Sequence, residues 1–518
     1  MNESLPTAAW RRHAADGGLT VLLLALAVAQ GYLVLGTPLP LGARPVPGPA
    51  AHTERVSAVA SPAPTAEPVG LTTAGPSPAQ LGVSLSPLPS PEVGRRAEAG
   101  ARTMSGGEVR GEWPPRVTLR VVDDQGLPAA GASVVAAGRE VRTDPDGTTA
   151  LEGLVADTGV LVKMPGFEKV LVPPGPETTR EVRLRPHVVK AAYLTYYGVA
   201  DRGIRGRVLD LLARTELNAV VIDVKGDRGW IPYRTEVPQA LAAGAQGPVI
   251  LKDFDGLMAD LKARGLYTIA RIVTFKDNVL AHSRPDLAVI DTRTGRPWID
   301  RENLAWVDPF REEVWAYNIA IAREAVARGF DEIQFDYVRF PTDGKLGAAR
   351  YARPVSMETR LATIAGFLGR ARRELGPLGA FVAADVFGYT AFNENDTDIG
   401  QRIEELAPHL DYLCPMVYPS GYHLGIPGFR NPVRYPYEVV RESVRLIRRR
   451  AAPHPVKVRP WLQDFRDYAF DRRPFGVAEI RAQIRGSEEA GGVGWMLWNP
   501  RNDYTAAALN PKGPLAAR

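Results

Sequence analysis

The stretch "GFDEIQFDYVRFP", Gly329 to Pro341, closes a short apolar run with a carboxylate, a phenol and a guanidinium. Ile333 and Phe335 read as strand, and Asp336, Tyr337 and Arg339 stand where that strand should end. A second acid occupies the same kind of place: Asp385 in "AFVAADVFGY" follows an apolar run of its own. Two carboxyl groups in opposite protonation states are what most glycosidic bond cleavage requires, one as proton donor and one as nucleophile or base. Arg339 or Arg271 beside Asp336 would hold it ionised. The apolar neighbours Ala384, Val386 and Phe387 would favour the protonated form of Asp385. The opposite assignment stays open.

Other strand ends carry similar chemistry. Tyr196 and Tyr197 follow the first apolar run. Asp223 and Lys225, with Asp227 and Arg228, follow the second. Arg271 lies in the third, Tyr418 follows the sixth, Trp461, Gln463 and Asp464 the seventh, and Trp498 and Asn499 the eighth. Aromatic faces stack on the C–H faces of sugar rings, while carboxylates and amides bond sugar hydroxyls. The expected substrate-binding set is therefore Asp223, Lys225, Arg271, Tyr337, Arg339, Tyr418, Trp461, Gln463, Asp464, Trp498 and Asn499. Structural roles compete with this reading. Asp336 could pair with Arg339, Asp223 with Lys225, and Asp385 could cap its loop. At least one of Trp495 and Trp498 should be core packing. Asp411 opens its strand and reads as stabilising, and Asp308 in "WVDPF" reads as a helix N-cap.

The positioning elements follow from periodicity. Strands are expected at 190–196, 218–224, 267–273, 332–336, 380–386, 411–417, 456–461 and 493–498. Helix-like stretches lie between them, among them Ile204–Arg214, Phe254–Arg264, Arg311–Arg328, Met357–Leu375, Tyr437–Arg449 and Val477–Glu489. Eight strands alternating with helices predict an α/β fold, a closed (β/α)₈ TIM barrel whose chemistry gathers at the carboxyl ends of the strands. An open doubly wound sheet is the alternative, but no G-x-G-x-x-G follows the first strand. The "GGVG" at Gly491–Gly494 precedes a strand and reads as a turn. Arg448 to Arg450 end a helix, where they suit its negative pole.

The 518 residues allow two or three domains. Arg11, Arg12 and His13 precede an uncharged apolar stretch, Leu19 to Leu35. This predicts a signal peptide or membrane anchor over 1–36, with the rest exported. Residues 37–112 are rich in Pro, Ala, Gly and Ser and read as a disordered tether. Residues 113–187 alternate in short apolar runs with Gly- and Asp-containing turns, an expected small antiparallel β-sandwich. Asp123, Asp124, Asp144 and Asp146 could serve its turns or hold calcium. Residues 188–518 hold the barrel.

A formal charge of +5 and the lack of any dense basic run with interleaved aromatics argue against nucleic acid as a partner. Cys414 is the sole cysteine, so no intramolecular disulfide can form. The seven His include no H-x-H or H-E-x-x-H pattern, so no metal or other cofactor is expected.

Two resemblances add to this. "VVDDQGLPAAGASV…TDPDGT…MPGFEKV" resembles the carboxypeptidase regulatory-like domains. "NAVVIDVKGDRGWIPY", "WVDPFREEVWAYNIAIAREAVARGFDEIQFDYVRFPTDG", "DVFG", "IGQRIEELAPHLDYLCPMVYPSGYH", "RPWLQDF" and "GWMLWNPRNDYT", in that order, resemble the family named putative glycoside hydrolase domain over about residues 189–508. That family is distantly similar to α-amylase-like barrel glycosidases. The resemblance implies a TIM barrel with a catalytic Asp in "FDYVRFP", here Asp336, and an acid after strand five, here Asp385 where the amylases have Glu. Asp464 corresponds to a further amylase Asp by position. Gly421 stands where the family has a His, with His423 two places on. With the amino-terminal segment and the strand-end residues, the expected activity is that of an exported hydrolase of an envelope or extracellular polysaccharide. The alternative is a non-catalytic carbohydrate-binding barrel.

Overall fold

The computed structural model describes residues 112–513. The expected signal or anchor, and the expected tether up to residue 111, lie outside them. No helix among the described residues is long and apolar enough to cross a membrane.

Alternating apolar residues build seven short strands: β1 (Arg116–Val122), β2 (Ser133–Ala136), β3 (Arg139–Arg142), β4 (Thr148–Glu152), β5 (Val160–Lys163), β6 (Val170–Val172) and β7 (Thr179–Arg183). They form two sheets, β4-β1-β7 and β3-β2-β5-β6, over a core including Val117, Leu119, Val134 and Val162. The sequence suggested antiparallel pairing throughout, and the structure departs from that at one pair. The chain crosses from β6 in one sheet to β7 in the other, which then lies parallel to β1. The turn aspartates bond backbone. Asp123 Oδ1 accepts from the N–H of Gln125 and Leu127, and Asp144 Oδ1 from those of Asp146 and Thr148.

Eight parallel strand positions then close on themselves. In order they are β8 (Lys190–Leu194), β9 (Ala219–Lys225), β10 (Tyr267–Val273), β12 (Glu332–Asp336), β14 (Phe381–Phe387) and β15 (Tyr412–Met416). β16 (Lys457–Val458) and β17 (Trp461–Gln463) share the seventh place, and β18 (Trp495–Trp498) pairs back onto β8. This is the (β/α)₈ barrel. The seventh strand is split beside Pro460, which has no N–H to give the ladder. Between β10 and β12 the chain makes a long excursion. Its β11 (Ile290–Asp291) pairs with β13 (Ala349–Arg350) from the next loop.

Side-chain caps set several surrounding helices. Asp201 accepts from Ile204 N–H, Asp253 from Gly256 N–H, and Ser356 opens the helix Met357–Leu375 with a capping box to Thr359. Arg448, Arg449 and Arg450 fall in the last turn of the helix Pro436–Ala451. Asp308 is not the expected N-cap. Arg311 begins the helix Glu312–Ala327, and Asp308 instead accepts from the N–H of Phe310 and Ala352, tying two loops together. Asp411 accepts from Val382 N–H at the strands' amino ends.

The sandwich sits against the amino-terminal end of the barrel. Lys163 Nζ donates to Ala380 O, Lys169 Nζ to Asp331 O, and Gly166 N–H to Tyr412 Oη. Arg372 binds Glu140 through two N–H groups, at 2.8 and 3.0 Å. Ala380, Asp331 and Tyr412 precede or begin barrel strands, so the opposite mouth, where the strands end, is left to the βα loops.

Candidate active site

Inward positions along the barrel strands build two charged levels separated by an uncharged one. At the amino end, Arg459 pairs with Glu332, which also accepts from Tyr267 Oη at 2.9 Å. The middle holds Gln334, Cys414 and Met496, with Gln334 Nε2 against the Met496 sulfur. At the carboxyl end, Arg271 stands among three carboxylates. Its Nη1 donates to Asp223 Oδ1 at 2.6 Å, its Nε to Asp336 Oδ2 at 3.0 Å, and its Nη2 to the same Asp336 oxygen. The Nε also lies 4.0 Å from Asp385 Oδ2. Those two contacts to one nitrogen leave the Asp336 and Asp385 oxygens no more than about 7 Å apart.

The strands set this closeness. Phe335 of β12 pairs with Ala384 of β14, so the next residues, Asp336 and Asp385, lie side by side. Asp385 is almost enclosed, at 1 % side-chain exposure against 7 % for Asp336. Burial, with Asp336 alongside, pushes the Asp385 carboxyl well above its ordinary range, although Arg271 and the Trp461 indole N–H (2.7 Å to Oδ1) favour the charged form. Burial also raises Asp223, against the opposing pull of Arg271 and Tyr193.

Trp498 belongs to this group: the Arg271 guanidinium lies 5.1 Å from its ring centre. Trp495 points the other way, its Nε1 towards Glu488. Tyr418 is buried close enough to Asp385 and Asp336 to feel both charges. Tyr193 joins the group unanticipated. Its hydroxyl donates to Asp223 Oδ2 at 2.6 Å, and its ring stacks on Trp498 at 4.1 Å. Counting by twos from Ala191, an inward residue of β8, would have found it.

Other expected binding residues lie elsewhere. Lys225 is wholly buried and pairs with Asp277 at 2.6 Å, neither with Asp223 nor facing an opening. Gln463 is also wholly buried, bonding Ser420 Oγ and Phe465 O. Asp464 receives the N–H and hydroxyl of Thr505, and Asn499 donates to Asp464 O and Asp503 O. All four have their polar side-chain groups engaged by neighbouring loops.

Tyr337 and Arg339 form a second cluster at the mouth. Tyr337 holds φ +48°, an uncommon backbone for an aromatic residue, directly after Asp336. Arg339 does not bridge to Asp336. Its guanidinium lies 4.9 Å from each of the Trp306, Tyr337 and Phe387 ring centres and donates to Phe340 O and Thr342 Oγ1. Lys276, over the Tyr337 ring, pairs with Glu302 at 2.6 Å and Asp300 at 3.3 Å. Burial pushes Glu302 up to about 7. No group of three or more His, Cys, Asp or Glu among the described residues is arranged to hold a metal ion.

Residues 191–504 match the family model described as "putative glycosyl hydrolase domain". The chain belongs to this family. Its barrel is thus of glycosyl hydrolase type. Similar solved structures include a hypothetical protein from Ruminiclostridium thermocellum, 37 % identical over 38 % of this chain and 97 % of its own, with a TM-score of 0.33. The glycoside hydrolase domain of PgaB from Bordetella bronchiseptica is 15 % identical over 61 % of this chain and 95 % of its own, at 0.45. A class V chitinase from Pseudomonas fluorescens is 12 % identical over 62 % and 98 %, at 0.39. No curated protein matches the chain.

Proposed function

We propose that the chain hydrolyses glycosidic bonds at the Asp336–Asp385 pair. The observation that carries this reading is the shared guanidinium: one Arg271 Nε lies 3.0 Å from Asp336 and 4.0 Å from Asp385. The pair then differs as the chemistry needs. Asp385, with its raised affinity for a proton, is the donor to the departing glycosidic oxygen. Asp336, paired with the guanidinium, attacks the anomeric carbon. Water next cleaves the glycosyl–Asp336 ester, giving a proton back to Asp385. Retaining pairs stand about 5–5.5 Å apart and inverting pairs about 6.5–9.5 Å. A separation of no more than about 7 Å favours retention. Arg271 stabilises the charge left on Asp385 after proton transfer.

The apolar segment Leu19–Leu35 and the Pro-rich stretch behind it support an exported enzyme, membrane-held or secreted, acting on an envelope or extracellular polysaccharide. One observation favours a second reading, a carbohydrate-binding barrel without turnover: Arg271 is seated against both carboxylates and Asp385 is almost closed off. Incubating the full chain with cell-wall and exopolysaccharide preparations and assaying new reducing ends tests the proposal. Release of reducing ends is expected; binding with no release on any preparation supports the second reading.

A further inference from the structure

Next to the carboxylate cluster, the loops after β8 and β9 build an aromatic wall that the chemistry above does not use. Tyr197 is 55 % exposed. The buried Tyr196 ring lies edge-on to it at 5.0 Å and 6.4 Å from the half-buried Trp230. The Tyr196 hydroxyl is buried without a hydrogen-bond partner. Trp230 closes a tight turn in which Gly226 N–H donates to Trp230 O and Gly229 N–H to Gly226 O. Asp227, half-buried in that turn, makes no hydrogen bond or ion pair among the described residues.

The wall is built in. Gly229 has φ +92°, and a Cβ there would stand 2.1 Å from Asp277 Oδ1. Asp277 is the partner of Lys225 and caps Leu280 N–H. The buried Lys225–Asp277 pair thus supports the turn rather than touching a ligand. The other side is tied to the cluster: Asp223 Oδ2 accepts both Tyr196 N–H and Tyr193 Oη–H. The wall therefore holds a fixed place relative to Arg271 and Asp336.

We infer that Tyr197 and Trp230, with Asp227 in the turn that carries Trp230, form a subsite for one pyranose ring of a bound oligosaccharide, next to the ring at the carboxylates. The ligand class is a chain of gluco-configured sugars joined through equatorial bonds, for which β-1,4-linked hexamers are the probes. Their equatorial substituents leave a flat C–H face for one of the wall's mutually inclined rings and ring-edge contacts for the other, and direct hydroxyls sideways to Asp227. The inference rests on the glycoside reading of the adjacent cluster for its orientation, and binding tests it apart from turnover.

The test is titration of the full chain with cellohexaose and with chitohexaose, followed calorimetrically, in wild type, Tyr197→Ala, Trp230→Ala and Trp230→Phe. Wild type should bind at least one hexamer. Tyr197→Ala and Trp230→Ala should each weaken that binding by about tenfold, with Trp230→Phe recovering most of the loss. Tyr197 is exposed enough that its truncation leaves the fold intact, so it decides even if the Trp230 variants misfold. Wild type binding neither hexamer, or Tyr197→Ala binding like wild type, overturns the subsite. Binding by wild type that Tyr197→Ala weakens, with no cleavage of the hexamers or any other glycan, leaves the subsite standing and removes the hydrolase reading.

Discussion

Asp385 is the residue whose surroundings make the sharpest statement about protons. Its carboxyl is raised by burial and by Asp336, so the folded protein holds a proton there that the unfolded chain releases near pH 4. The stability this confers is complete below about pH 4. It declines as the pH climbs through the raised folded value. Asp385→Asn cannot ionise and keeps an acceptor for the Trp461 N–H. Thermal melts from pH 4 to 8 should show wild type losing stability relative to Asp385→Asn as the pH rises; parallel curves would mean that the carboxyl is not raised. The same sign governs turnover: a donor must be protonated, so the rate should fall on the alkaline side. Arg271 is the other decisive residue. Arg271→Ala leaves Asp223 and Asp336 buried without their cation, and removing one partner of a buried pair costs about 3–5 kcal/mol. Chemical denaturation of Arg271→Ala measures that loss; a change under about 1 kcal/mol would show the network to be weakly coupled.

At the scale of elements, the turn after β9 shows how a loop is held for a purpose. Gly229→Ala places a methyl against Asp277 in a left-handed backbone, so it should cost about 1–3 kcal/mol and loosen the Trp230 side of the wall. A melting temperature equal to wild type would show the turn to be adaptable. The eight barrel strands and most flanking helices were legible from alternating apolar runs, with ends displaced by a few residues. Asp336 and Asp385 were legible because strand ends on one face converge. Which of the other polar residues face the mouth was not. Lys225 and Gln463 look like ligand residues in one dimension, yet Asp277 from one loop and Ser420 from another consume them. Tyr193 was hidden by its place inside the strand rather than at its end. Arg339 looked like a partner for Asp336, but three rings from separate segments surround it.

Over the whole molecule, the sandwich and the barrel meet at a polar seam, away from the carboxylates. Lys163 is enclosed there between the two, and burial lowers it to about 8. Its folded value lies below its unfolded one, near 10.4, so folding disfavours its proton. Stability should therefore rise from about pH 8 to pH 10 as the unfolded chain keeps a proton that the folded one has shed. Lys163→Met should flatten that rise in thermal melts; an unchanged slope would place its origin elsewhere. The seam also gives the sandwich a position, at the end of the barrel opposite the Asp336–Asp385 pair. It leaves the mouth with Asp336 on the far side, turned away from the domain that follows the amino-terminal segment.

In the proposed reaction Asp336 carries the bond cleavage. The direct measurement compares wild type with Asp336→Asn for release of reducing ends from whichever polysaccharide wild type degrades, with binding of that polysaccharide measured in parallel. Release should fall at least about 100-fold in Asp336→Asn with binding retained. Release by Asp336→Asn at the wild-type rate would contradict it.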